Sequence, residues 1–195
     1  MDQWLALVAF SVISTGSPGP NNVLLWASGA AFGFRRTLPH VIGTALGIGV
    51  LALTAAAGLA AIVSALPAVA VLMKIAASAY LLLLAWQVAG ARALERGELA
   101  RPMSLLQAAA FQAINPKGWI FALGAIAAFR PADLPVVPGS LLVAGTMTAI
   151  VIPTAALWAG AGGWLGGMID GDRRRRFVGL GLAALLALSV VSIWH

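Results

Sequence analysis

The sequence predicts an all-α integral membrane protein of about six transmembrane helices. Three observations carry this. Hydrophobic residues make up 61% of the 195 and charged residues 9%, against roughly 45–50% and 25% in soluble domains. One soluble core of this size cannot hide so much apolar surface, whereas a bilayer can. The apolar residues also fall into six continuous runs near the ~20 residues that a membrane helix needs. A β-barrel would show short alternating segments instead, and helices leave few backbone groups unpaired in lipid.

The runs follow in order within a single domain, residues 1–195. Span 1 lies near residues 4–31, with no charge until Arg35. Met1-Asp2-Gln3 lacks the basic start of a cleaved signal peptide, so this run is expected to remain as a span. Span 2 lies near 41–63. A tight turn over Ser64–Pro67 leads to span 3, near 67–91. Arg92, Glu95, Arg96, Glu98 and Arg101 mark a wet loop. Span 4 lies near 103–129, and Arg130-Pro131-Ala132-Asp133 opens a connector. Span 5 lies near 138–168, Asp170–Arg176 forms a charged loop, and span 6 lies near 177–194.

Net charge is +6, but the basic residues sit between apolar runs and form no face interleaved with aromatics. They therefore speak for membrane orientation and against nucleic acid as a partner. Connectors 1–2, 3–4 and 5–6 carry Arg35, Arg36, Arg92, Arg96, Arg101 and Arg173–Arg176, and the other side carries Arg130. The positive-inside rule makes those three connectors cytoplasmic and places both termini outside. With no cysteine and only His40 and His195, no metal site or other cofactor is expected. His40, beside Arg35 and Arg36, reads as an interfacial residue at the cytoplasmic edge. Lys74, near the outer end of span 3, can snorkel to the interface and reads as structural.

Glycines recur four apart: Gly29 and Gly33, Gly43 and Gly47, Gly162 and Gly166, Gly163 and Gly167. Such spacing lets membrane helices approach closely. Helix packing is the expected role, and these faces would also permit a homodimer.

Two spans contain helix breakers. Span 1 holds Ser17-Pro18-Gly19-Pro20-Asn21-Asn22. Each proline removes a donor and clashes with the preceding turn, and Gly19 adds freedom. An interrupted helix inside a membrane must have its freed groups satisfied by protein or by a wet cavity. Span 4 holds Asn115-Pro116-Lys117-Gly118. Lys117 lies about 14 residues into that span, ~21 Å at helical rise, where a charge is costly and by default marks function. The structural alternatives are a kink made by prolines and a lysine that pairs with carbonyls to fix packing. The breaks lie at similar depths in two halves of three spans each. This is the arithmetic of two inverted three-helix repeats, with broken helices 1 and 4 flanking a midplane site.

The Pro18-Gly19-Pro20-Asn21 run, Gly43 with Gly47, and Asn115-Pro116-Lys117 resemble the LysE/RhtB amino-acid exporter family along essentially the whole chain. Ser17 stands where that family usually has threonine. The third span reads Ala77-Ser78-Ala79-Tyr80, without the family's usual glycine. The resemblance implies a secondary active transporter of the bacterial inner membrane. It implies export of amino acids or close derivatives, driven by the proton motive force. Ser17, Pro18, Gly19, Pro20, Asn21, Asn22, Asn115, Pro116 and Lys117 are the expected substrate-binding residues. The partners are a small-molecule amino acid and the lipid bilayer.

No chemical reaction is implied, so no enzyme is expected. The alternatives are export of another small solute and a non-transport intramembrane protein. No carboxylate lies deep in a span. That leaves the proton route open and favours neutral amino acids over dicationic ones.

Overall fold

The computed structural model describes residues 2–58, 67–89, 101–168 and 172–194. The expected turn at residues 64–66, the charged stretch 92–100, Asp170 and His195 lie outside the described residues, as do the far ends of spans 2 and 3. Every regular element described is an α-helix: α1 (Asp2–Gly16), α2 (Pro20–Phe32), α3 (Phe34–Ala56), α4 (Pro67–Ala89), α5 (Leu105–Ile114), α6 (Pro116–Phe129), α7 (Val136–Gly167) and α8 (Asp172–Trp194).

Length sorts these helices. Among the described residues, α3 and α7 are each long and apolar enough to cross a membrane alone. α1, α2, α5 and α6 have 15, 13, 10 and 14 residues. At 1.5 Å per residue each falls short of the ~30 Å hydrocarbon core. Joined end to end as α1–α2 and α5–α6, they are long enough.

Prolines decide where those pairs break. Pro20 and Pro116 stand at the first positions of α2 and α6, where a missing N–H costs nothing and the fixed φ suits the helix. Gly19 and Asn115 ahead of them are extended, and Asn115 also caps the end of α5. α5 starts with a capping box in which Ser104 and Gln107 bond reciprocally. Such a cap contributes about 1 kcal/mol.

Two helix starts differ from expectation. α3 begins at Phe34, not Val41, so Arg35 and Arg36 form its first turn rather than a loop. Both are exposed, and first-turn N–H groups need no helical acceptor. Asp172–Arg176 likewise opens α8.

The bundle has its polarity reversed relative to a soluble protein. Leu106, Ile120 and Leu157 are 76%, 72% and 73% exposed on outward faces, while Asn21, Asn22, His40, Gln112 and Asn115 are buried. That distribution is stable against lipid and costly against water.

Glycines set how the helices dock. A Cβ on Gly29 would run into the Ala159 carbonyl, and one on Gly162 or Gly166 into the carbonyls of Trp26 or Ala30. These contacts press α2 against α7. A Cβ on Gly43 would meet the Leu105 carbonyl, and one on Gly47 would lie 2.7 Å from Gln112 Cγ, so the same device presses α3 against α5. The packing role expected of Gly43 and Gly47 is thus met within the chain. Gly33 and Gly167 differ, because a Cβ on either meets nothing within 4 Å. Gly33 instead has φ 80 and ψ 161, a conformation confined in practice to glycine, and makes the sharp turn from α2 to α3.

Contact order along these helices fixes their sense. Ser28 pairs with Thr37, and Asn21 with Thr44, so α2 and α3 are antiparallel. Gly43 meets Leu105 and Gly47 meets Ala109, so α3 and α5 are parallel. The two interrupted helices therefore run in opposite senses, bringing the break after α1 and the break after α5 to one level.

Candidate functional site

A helix that stops inside a bundle leaves carbonyls without N–H partners, and each must find a donor. At the end of α1 the donors are side chains. Asn22 Nδ2 donates to the carbonyls of Thr15 and Ser17 at 2.6 and 2.8 Å. Ser17 Oγ donates to the Ser14 carbonyl at 3.0 Å. The other donor comes from the opposite break. Lys117 Nζ reaches the Ser17 carbonyl and hydroxyl, each at 2.8 Å, and the Pro18 carbonyl at 3.2 Å. An ammonium has three N–H bonds, and all three are met. A cation at the carbonyl end of α1 also offsets that helix's dipole.

The break after α5 is treated similarly. Trp119 Nε1 donates to the Ala113 carbonyl at 2.9 Å. Asn115 Nδ2 donates to Gln112 Oε1 at 2.9 Å, and Gln112 Nε2 donates to Asn21 Oδ1 at 2.8 Å. Thr44 Oγ1 donates to the same Asn21 oxygen at 3.2 Å. Asn21, Thr44, Gln112 and Asn115 thus form one chain of amides and a hydroxyl joining α2, α3 and the second break. Asn115 Oδ1 is buried and has no donor.

These groups line one cavity. Its walls include Thr15, Gly19, Asn21, Asn22, Thr44, Gln112, Asn115 and Lys117, together with Phe121 and Thr154. Pro153 sits inside α7 next to Thr154, so a third proline-weakened helix faces the same space. The cavity holds about 40 Å³, against the ~10–15 Å³ needed for one water. A solute occupying it must be small, or must push the two breaks apart.

Of the residues the sequence singled out, Gly19, Asn21, Asn22, Asn115 and Lys117 line this cavity. Ser17 and Pro18 sit behind it as acceptors for Lys117, while Pro20 and Pro116 open the half-helices. Thr44, Gln112 and Thr154 were not foreseen, being single polar residues in alanine- and glycine-rich runs. The signal for Gln112 is its spacing, one helical turn before Asn115.

One expectation is corrected. His40 is not interfacial: it is 1% exposed, inside α3, with neither ring nitrogen bonded. The early start of α3 carries it inward. Lys74 has a structural contact, in line with its expected role. Its ammonium stands 5.7 Å from the centre of the Trp194 ring, and Trp194 Nε1 donates to Ser78 Oγ at 3.0 Å, tying α8 to α4.

A lipid-facing helical bundle with two breaks meeting at one polar cavity defines a membrane translocator. Sequence comparison gives the family. Residues 12–192 match the LysE type translocator family, and the chain belongs to it, as its motifs implied. The chain is also similar to the cysteine/O-acetylserine efflux protein of Escherichia coli (strain K12). The identity is 31% over 124 residues, 64% of each chain. The protein of that description from Shigella sonnei (strain Ss046) matches equally, and that from Escherichia coli O1:K1 / APEC is 30% identical over the same length. The chain thus spans 64% of the length of these curated relatives. No solved structure matches.

Proposed function

We propose that the chain is a secondary active transporter that exports small neutral amino acids, or close derivatives, across the bacterial inner membrane. The proton motive force is the proposed drive. The observation that carries this reading is the cavity where the Ser17–Asn22 and Asn115–Lys117 breaks meet, lined by amides and by Lys117, whose ammonium ties the two breaks together. A zwitterion offers one anionic and one cationic end. Its ammonium can donate to Asn115 Oδ1, the buried acceptor left without a donor. Its carboxylate suits the N-terminal amides of α2 and α6 and the positive ends of their dipoles. No acidic side chain lines the cavity, which disfavours substrates with an extra positive charge. The names of the relatives mention cysteine and O-acetylserine, both with uncharged side chains, and these are the first substrates to try.

The opposed senses of the interrupted helices, and the pairing of α3 with α7 and of α4 with α8, support two inverted three-helix repeats. Rocking of one half against the other would open the cavity alternately to each side. Release of Lys117 from Ser17 and Pro18 is the step that unlatches them. The arginine-rich connectors support an orientation with both termini outside.

The experiment compares export by Lys117→Ala and Asn115→Ala variants with the original chain at matched membrane abundance. Loss of labelled amino-acid accumulation in inverted vesicles, and its collapse with an uncoupler in the original chain, are the expected results. Full activity in both variants would sink the site assignment.

A further inference from the structure

Among the described residues, one ionisable side chain is fully buried with no bond to either ring nitrogen: His40. Buried polar groups without partners are rare, and each calls for an explanation. Its position follows from its neighbours on α3. Thr37 lies one turn before it and Thr44 one turn after, on the same face. Thr37 pairs with Ser28 of α2, and Thr44 donates to Asn21 and lines the cavity. Gly43 packs against the start of α5. His40 therefore lies in the seam between α2 and α5, one turn from the cavity. The Thr37–Ser28 pair continues the polar line from His40 to the α3 start, where Arg35 and Arg36 are exposed.

The surrounding helices supply no competing titratable group. α2, α5 and α7 contain none. Arg35, Arg36 and Arg101, at the same end of the bundle, are all exposed. Lys117 of α6 has its three N–H bonds engaged by Ser17 and Pro18. Asp2 and Asp172 stand at the first residues of α1 and α8, and Asp133 is exposed between α6 and α7. Of the side chains described inside the helices, His40 is the buried ionisable group that no partner engages.

We propose that His40 is the proton-carrying residue that couples solute movement to proton flow. The neutral ring takes a proton on its free nitrogen while the cavity is open to the outside. It gives that proton to water at the Arg35–Arg36 end after the bundle has rocked. One proton moves inward and no other bond is made or broken. The proposal rests on the transport reading of the neighbouring cavity.

The test uses the purified full chain in proteoliposomes, with labelled O-acetylserine, cysteine, serine and threonine. Two quantities are read: exchange without a gradient, and accumulation driven by an imposed pH gradient. His40→Gln is expected to retain exchange and lose driven accumulation at least tenfold. A His40→Gln chain that still accumulates solute overturns the proposal. An original chain that exchanges none of the four removes the transport reading itself, a different failure. If His40→Gln loses both activities, the His195→Ala chain decides, since His40 is then the only histidine. Its ring, followed by NMR on isotope-labelled histidine, should change protonation state with pH in the folded chain and respond to solute. A ring that stays neutral throughout overturns the proposal.

Discussion

The Lys117 ammonium donates to both oxygens of Ser17, carbonyl and hydroxyl, each at 2.8 Å, across 100 residues of chain. One side chain from the second break thereby satisfies the first. Lys117→Met keeps the apolar stem and removes every ammonium donor, leaving the Pro18 carbonyl without this partner and the Ser17 carbonyl with Asn22 alone. A hydrogen bond to a charged group contributes about 1.5–3 kcal/mol. Driven accumulation should fall at least about tenfold, and the detergent-solubilised chain should melt several degrees lower. Lys117→Arg should not restore transport, because a planar fork cannot converge three donors on this site. Accumulation by inverted vesicles and a melting curve check both.

Gly19 shows how little room that clasp leaves. A Cβ there would lie 2.9 Å from Lys117 Cδ and 3.0 Å from Nζ. The obstacle is the flexible end of a side chain, so the backbone need not move. Gly19 is extended, with φ −179, so alanine brings no backbone strain. Gly19→Ala should therefore leave membrane abundance unchanged while displacing the ammonium. A loss of about 1 kcal/mol in that contact corresponds to roughly fivefold in transport.

Asn21 and Gln112 should prove coupled. Gln112→Leu strands the Asn115 amide and removes one of the two donors to Asn21 Oδ1. Asn21→Leu strands the Thr44 hydroxyl and leaves Gln112 Nε2 with the Ala108 carbonyl alone. Once one partner is gone, losing the other costs less. A double-mutant cycle on the melting midpoint should give an interaction of about 1–2 kcal/mol. A sum that is simply additive would show that the two amides do not depend on each other.

The breaks were legible in the sequence because proline acts locally: Pro18, Pro20 and Pro116 lack the donor wherever they fold. The outward apolar faces were legible for a similar reason, since lipid selects residue type directly. Gln112 and Thr44 were not legible, because their role depends on α3, α5 and α2 meeting, and no local signal encodes that meeting. His40 was misread because the basic pair near it looked like a loop, whereas an early helix start leaves that pair exposed and turns His40 inward. Gly33 looked like half of a packing pair with Gly29, although only Gly29 meets a neighbouring helix.

That last contrast gives a prediction in which identical substitutions, four residues apart, fail for different reasons. Gly29→Ala puts a methyl group into the Ala159 carbonyl of α7. The backbone of Gly29 is helical, so the damage is steric and lies between helices. Gly33→Ala meets no atom within 4 Å, but its φ of 80 with ψ of 161 excludes a side chain. There the damage is backbone strain of about 1–3 kcal/mol, inside the turn. Side-chain size should separate them. At Gly29 the obstacle is the backbone of α7, so the loss should grow from alanine to leucine as the helices are forced apart. At Gly33 the space is open, so most of the loss should appear with alanine and grow little with leucine. Melting midpoints of the four variants make the comparison. A loss at Gly33 that grows with size as it does at Gly29 would mean that Gly33 acts through packing after all.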